Sequence, residues 1–183
     1  MELTPEDNPV RARLLSSLGW NLHSQYRRTG DPQVLEAAIA RSQEAMDLAP
    51  EDYPGHAEPL SSLGYFLSSR YNRTGDLQDL AVSIARLQEA VELTEEDHPS
   101  RAMRLNNLAC HLNNRYHRTN NLQDLEPVIS RSQDAVKLTP NDHPDRATLL
   151  GNLGSWLKTR YKRTERVLFF FFFLKTHYSH AGP

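Results

Sequence analysis

The eight histidines are the residues of this sequence whose chemistry first suggests a metal site. A zinc site on a helix needs two ligands four residues apart on one face, and no two histidines have that spacing. His98 and His143 occupy the same point of a repeated segment, and His111 and His117, six apart, point to different faces of a helix. We therefore expect surface histidines, no metal and no other cofactor.

The residues and spacings of known catalytic motifs are missing as well. The sequence has no Gly-x-x-x-x-Gly-Lys loop to hold phosphates, no Gly-x-Ser-x-Gly turn to present a nucleophilic serine, and no cluster of paired carboxylates. Cys110, the single cysteine, has no neighbours that would stabilise a thiolate and is interpreted as a small apolar residue of a helix. We expect a protein that is not an enzyme and has no catalytic residues.

The charge and the cysteine count restrict the partners and the compartment. With 21 basic and 23 acidic residues, the formal net charge is -2, which gives no long-range positive field for nucleic acid. One cysteine excludes an intramolecular disulfide and suits a reducing compartment. The first seven residues do not combine a basic region with an apolar stretch, as a signal peptide would. The expected location is the cytoplasm.

A 45-residue repeat organises residues 1–164. Units start near residues 3, 48, 93 and 138, and the same interval separates four prolines, four leucines and four tyrosines: Pro9, Pro54, Pro99, Pro144; Leu15, Leu60, Leu105, Leu150; Tyr26, Tyr71, Tyr116, Tyr161. A fixed period of this length predicts structural units that each bury a face against the next one.

Each unit is predicted to be an antiparallel helical hairpin. In the first unit, four apolar residues spaced 3, 4 and 4 indicate a helix A over roughly 9–28: Leu15, Leu18, Leu22, Tyr26. Gly30 and Asp31 then predict a left-handed helix end and an N-cap, with Pro32 in the first turn of helix B. Helix B runs to about residue 48, with Leu35, Ile39 and Ala45 inward. Small residues beside the helix A stripe are expected to let helix B pack closely: Gly19, Gly64, Ala109, Gly154.

The pattern of Leu18-Gly19 and Leu22, followed by small residues and a proline at Ala38, Ala45 and Pro50, resembles the tetratricopeptide repeat. The resemblance covers about residues 1–164, although the unit is longer than the roughly 34 residues of that family. It implies an all-α, right-handed α-solenoid of helix hairpins whose A helices line a concave groove. The implied function is a scaffold that binds a protein or peptide. The segment Arg70–Leu77 also looks like the long repeats of fungal NTPase or CHAT protease-like proteins, which implies, as the alternative, a recognition segment of a larger signalling protein.

The resemblance assigns the ligand surface to one flank of helix A, about 100° from the leucine stripe. The partner-binding candidates on this flank are Ser16, Trp20, His23, Arg27, Ser61, Tyr65, Ser68, Asn72, Asn106, Asn113, His117 and Lys158, together with Cys110, Gly151, Ser155 and Lys162 at the equivalent points. Two alternatives stay open: a solvated helix face, or packing of Trp20 and Tyr65 between repeats. Arginines in the last turn of helix A either complement the helix dipole or form an anion-binding row: Arg28, Arg73, Arg118, Arg163.

The repeat pattern stops after Thr164. Glu165-Arg166 replaces the turn, and an apolar run with five consecutive phenylalanines follows over 167–174. The fourth unit should therefore lack helix B, and 165–183 is interpreted as a non-repeat tail from truncation or read-through, with a cap over the fourth helix A as the alternative. Eight apolar residues are too few for a membrane-spanning helix, which needs about 20. The sequence does not predict an oligomeric state.

Overall fold

The computed structural model describes residues 9–49 and 54–178, and the side chains of residues 10–49 and 55–165. This part of the chain contains seven α-helices and no strand, so the predicted all-α class is confirmed. The helices are α1 (Pro9–Thr29), α2 (Pro32–Leu48), α3 (Ala57–Thr74), α4 (Leu77–Glu92), α5 (Arg101–Thr119), α6 (Leu125–Leu138) and α7 (Arg146–Tyr178), with 3₁₀ turns at Pro54–His56 and Leu122–Asp124.

Two-residue turns join the helices of each hairpin, as predicted. The first residue of each turn has the left-handed backbone conformation that glycine and asparagine tolerate: Gly30 (φ 69°), Gly75 (φ 75°), Asn120 (φ 53°). The second residue caps the next helix, and Asp31 Oδ1 accepts a hydrogen bond from the Gln33 backbone N–H at 2.9 Å. Asp76 and Asn121 make the same bond to the residue two positions on.

The odd-numbered helices, which we call the A helices, each pack against a following even-numbered helix, or B helix, except for α7. Each B helix also packs on the next A helix. Gly64 shows why a small residue recurs here: a Cβ atom at this position would lie 2.8 Å from Leu87 Cγ and 3.0 Å from the Ser83 carbonyl oxygen. The same position of the first unit, Gly19, is also crowded, whereas a Cβ at Gly154 would have no described neighbour within 4 Å.

The hydrophobic core lies in the middle of the described chain. The helix A stripe is buried in the second and third units: Leu60, Leu63, Leu67, Tyr71; Leu105, Leu108, Leu112, Tyr116. At the two ends the same positions are more open. Leu18 of α1 is 45% exposed and Leu150 of α7 is 48% exposed, since no described helix covers one side of each end helix. The inward positions of the B helices are buried as predicted, apart from the half-buried Ile39.

Helix α7 continues as a helix through the predicted boundary at residue 164. No glycine or asparagine follows Thr164 to support the left-handed turn that ends the other A helices. Phe169–Phe173 belong to this helix, but their side chains lie outside the described ones. Within 9–49 and 54–178, no helix is both long enough and apolar enough to cross a bilayer.

Candidate partner-binding surface on the A helices

The predicted ligand stripe lies where successive A helices meet. His23 Nε2 of α1 is 3.0 Å from Ser69 Oγ of α3, and Asn152 Nδ2 of α7 donates to Asn106 Oδ1 of α5 at 3.1 Å. Both pairs are 46 residues apart, one repeat plus one residue. One edge of the stripe therefore forms a polar seam between repeats, and the other edge faces outward.

The hydrogen bonds of Ser69 determine the tautomer of His23. Ser69 Oγ donates its only proton to the Tyr65 carbonyl oxygen at 3.2 Å, so it accepts the proton carried by His23 Nε2. Burial lowers the pKa of His23, and the nearby charge of Arg27 lowers it further. His23 is 3% exposed and acts as a neutral donor within the seam.

Aromatic rings cover the seam between α1 and α3. The Trp20 ring centroid lies 5.3 Å from that of Tyr65 and 5.0 Å from that of Phe66. His23 stacks on Phe66 with 4.9 Å between the ring centroids. Phe66 is fully buried, whereas Trp20 is 39% exposed and Tyr65 is half-buried. The cluster therefore holds two rings in fixed positions with part of their surface open to solvent.

The stripe residues divide into three groups by exposure. The buried ones are Ser16, His23 and Ser68; the half-buried ones are Ser61, Tyr65, Asn106, Cys110 and Asn113; the exposed ones are Trp20, Arg27, Asn72, His117, Gly151, Ser155, Lys158 and Lys162. The sequence left open either a solvated helix face or packing of Trp20 and Tyr65 between repeats. Each applies to part of the stripe, because these two rings pack between repeats and also reach solvent. We call the half-buried and exposed members the A-helix row. Whether a partner contacts them stays a prediction.

Asn113 carries an orphaned polar atom in this row. Its Oδ1 is buried and has no hydrogen-bond partner among the described residues. In the first repeat the equivalent residue, His23, is satisfied by Ser69. A buried acceptor without a donor destabilises the folded chain by about 1–3 kcal/mol. Asn113 is therefore a site where an added N–H donor would stabilise the protein.

A cavity of about 340 Å³ adjoins the row at the start of α5. Its walls combine the row residue Asn106 with apolar side chains from α5, the end of α6, the segment that follows it and the first turn of α7: Ala102, Met103, Leu138, Pro140, Leu149. Met103 is 60% exposed, so part of its side chain is open to a ligand. The cavity has room for one apolar side chain of a ligand.

An ion-pair system that the sequence analysis did not identify ties the hairpins together. Arg70 of α3 donates from Nε and Nη2 to the carboxylate of Asp79 at 2.8 and 2.6 Å, and from Nη1 to Glu36 at 2.7 Å. The hydrogen bond to Asp79 raises the pKa of Arg70 further above its usual range. Arg115 and Asp124 repeat the bidentate pair. The signal was present, since arginines recur at 70, 115 and 160 and aspartates at 79 and 124, in the same 45-residue register.

The arginines singled out in the last turn of helix A do not share one environment. Arg28, Arg73 and Arg118 are exposed. Arg163 instead donates from Nε to the hydroxyl of Tyr116 at 2.8 Å and lies 5.9 Å from the centroid of that ring. The fourth arginine therefore fastens α7 to α5.

The expectation of surface histidines is wrong for three of them. His23, His56 and His111 are buried; His56 Nδ1 is 3.0 Å from the Ala49 carbonyl oxygen. His98, His117 and His143 are exposed, as expected. Among the residues described, no three His, Cys, Asp or Glu side chains form a group that could hold a metal ion. Burial raises the pKa of the Cys110 thiol, which makes the reactive thiolate scarcer.

Against known proteins, the chain matches no protein-family model and no curated protein.

Proposed function

We propose that this protein is a scaffold of the tetratricopeptide type, a right-handed α-solenoid that binds a peptide or a partner protein along the A-helix row. The packing between helices supports the curvature. Among the described residues, the successive A helices α1–α3 and α3–α5 contact each other more extensively than the successive B helices α2–α4 and α4–α6 do. Helices that approach each other most closely lie on the inner side of a curved stack, so the A-helix row would line the concave face.

The observation that carries the proposal is the partly exposed pair of Trp20 and Tyr65. Their centroids are 5.3 Å apart, and packing against Phe66 and His23 restrains both rings before any ligand arrives. Partly exposed aromatic side chains with fixed positions bind a ligand with little loss of side-chain entropy. Such residues are the usual anchors of a protein interface.

The remainder of the row indicates the chemistry of the ligand. Half-buried amides at Asn106 and Asn113 suit the backbone of an extended peptide. The cavity beside Met103 takes an apolar side chain. Three exposed cations of the row favour acidic residues in the ligand: Arg27, Lys158, Lys162. The ligand is therefore a peptide segment with apolar anchors and a net negative charge.

Selection of peptides from a random library on the full chain tests this function. The selected peptides should be acidic, and their dissociation constants, measured by isothermal titration calorimetry, should rise about tenfold or more in a Tyr65→Ala variant. Gln88→Ala, an exposed change on helix α4, is the matched control and should leave binding unchanged. The proposal is overturned if the library gives no saturable binder, or if the selected peptides bind the Tyr65→Ala and Arg27→Glu variants as tightly as the original chain.

A further inference from the structure

Helix α7 has an exposed apolar face, whereas the corresponding face of α3 and α5 is buried. Leu60 and Leu105 are 0% and 2% exposed, but the equivalent Leu150 is 48% exposed. Tyr71 and Tyr116 are 7% and 2% exposed, and the equivalent Tyr161 is 62% exposed. In the second and third repeats a B helix covers this face. In α7 no described helix covers Leu150 and Tyr161, while Leu153 and Leu157 are half-buried and contact the core on one side. We call this surface the open face of α7: Leu150, Leu153, Gly154, Leu157, Arg160, Tyr161.

The open face keeps the close-approach position of a hairpin. At Gly64 the B helix comes so near that a Cβ would lie 2.8 Å from Leu87 Cγ, and at Gly19 it would lie 3.2 Å from Ser42 Oγ. Gly154 is the same position of the fourth repeat, and none of the atoms that the structure describes comes within 4 Å of a Cβ there. A glycine inside a helix destabilises it by roughly 0.5–1 kcal/mol relative to alanine. Here that loss is not offset by any packing within the described chain.

The charges on the open face are also those of an incomplete hairpin. Arg70 and Arg115 each make a bidentate pair with an aspartate at the start of their own hairpin's second arm: Asp79 in the first turn of α4, and Asp124 in the 3₁₀ turn that leads into α6. Both aspartates are nearly buried. Among the described residues, Arg160, the equivalent residue, pairs only with the preceding B helix, through Nη1 to Glu126 at 3.3 and 3.4 Å. Its side chain is 43% exposed. The first repeat has no such pair, because Gln25 stands at the position of the arginine and Val34 at that of the aspartate.

We propose that the open face of α7 binds an amphipathic helix of another polypeptide, in the position that a B helix occupies in the preceding repeats. The interfaces within this chain specify that helix. It carries an acidic residue in its first turn to pair with Arg160, as Asp79 and Asp124 do with their arginines. Apolar or small residues then follow at the spacing seen in the second repeat: Leu80, Ser83, Ile84, Leu87, Val91. This surface is separate from the A-helix row and does not depend on it.

A peptide copied from the chain itself tests the proposal. Residues 76–94, which contain α4 with its cap, are synthesised with a fluorescent label and titrated with the full chain, and binding is followed by fluorescence anisotropy. We expect saturable binding of one peptide per chain. Asp79→Asn in the peptide should weaken binding about tenfold, because the charged partner of Arg160 is lost. Leu87→Asp in the peptide should abolish it, because this side chain packs against the glycine position.

Two glycine variants of the protein locate the binding. Gly154→Leu fills the space beside this glycine and should abolish peptide binding. The free variant should stay folded, because no described atom lies within 4 Å of a Cβ at this position. Gly151→Asn introduces the residue found at the equivalent Asn106 and points along the A-helix row, so it should leave the affinity unchanged. If the peptide binds the Gly154→Leu variant as tightly as the original chain, the proposal is overturned, because the peptide must then bind elsewhere, for example by displacing the chain's own α4. Sedimentation that reveals self-association of the chain, abolished by Gly154→Leu, also overturns it, because the occupant is then a second copy.

Discussion

His111 of α5 donates its Nδ1 proton to Ser83 Oγ of α4 over 2.6 Å, within the packing between the second and third repeats. The direction follows from Ser83, whose hydroxyl proton goes to the Gly64 carbonyl oxygen at 2.7 Å. Burial lowers the pKa of His111 to about 4. The equivalent positions of the flanking repeats hold Phe66 and Trp156, so a neutral histidine occupies an aromatic position of the core.

This burial makes the stability of the protein depend on pH. His111 has its ordinary pKa of 6.5 in the unfolded chain and about 4 in the folded one, so between these values the unfolded state binds more protons. The contribution is complete above pH 6.5 and is lost as the pH falls toward 4, at on the order of 1 kcal/mol per pH unit. Urea denaturation at a series of pH values measures it.

The matched variant for that experiment is His111→Phe, which introduces the residue of the second repeat. It should flatten the pH dependence between 4 and 6.5, apart from the part due to His23, whose pKa burial also lowers. The exposed His117→Gln should leave the slope as it was. A slope that His111→Phe does not change would contradict the assignment of this titration to His111.

The repeated glycine position gives opposite predictions in two repeats. Gly64→Ala should destabilise the protein by about 1–3 kcal/mol, because the added Cβ would lie 2.8 Å from Leu87 Cγ and 3.0 Å from a backbone oxygen. Gly154→Ala should stabilise it by about 0.5–1 kcal/mol, since alanine is the better helix former and the space is open. Midpoints of thermal unfolding compare the two, and a loss of stability in both variants would contradict the vacancy at Gly154.

The register of helix A is tested by two neighbouring residues of α3. Leu63 is 3% exposed, and Leu63→Ala should destabilise the protein by about 2–5 kcal/mol as a large-to-small change in the core. Ser61 is half-buried and donates only to the Ala57 carbonyl oxygen within its own helix, so Ser61→Ala should change stability by less than about 0.5 kcal/mol. Similar losses at both positions in urea titrations would mean that the register is wrong.

The hairpins followed from the sequence because their signals are local. Gly30 acts through its own backbone, Asp31 acts through a side-chain cap two residues on, and a leucine stripe indicates which face of a helix packs on a neighbour. The seam between repeats did not follow, since the spacing of His23 shows which flank it occupies but not how near the next A helix comes. The burial of His111 has the same origin. Because histidine is polar, His111 was expected at the surface. Its position in the 45-residue repeat, which is equivalent to that of Phe66 and Trp156, indicates the core more reliably.

The two carboxylates that contact Arg70, those of Asp79 and Glu36, should contribute unequally to stability. Asp79 has a side chain that is 8% exposed and receives two hydrogen bonds from the guanidinium, while Glu36 is 48% exposed and receives one. Solvent screens an exposed ion pair, so Glu36→Gln should reduce stability by less than about 1 kcal/mol. Asp79→Ala leaves Arg70 without its bidentate partner and opens space in the hairpin. It should reduce stability by about 2–3 kcal/mol, which is below the range for a fully buried pair because Arg70 is 29% exposed.

Urea denaturation of both variants measures these losses. A third variant, Arg70→Met/Asp79→Leu, replaces the pair with apolar side chains and completes the test. The double variant should recover most of the loss, because neither charge is then stranded. If it is as unstable as Asp79→Ala, the loss arises from packing around residue 79 and not from the unpaired arginine.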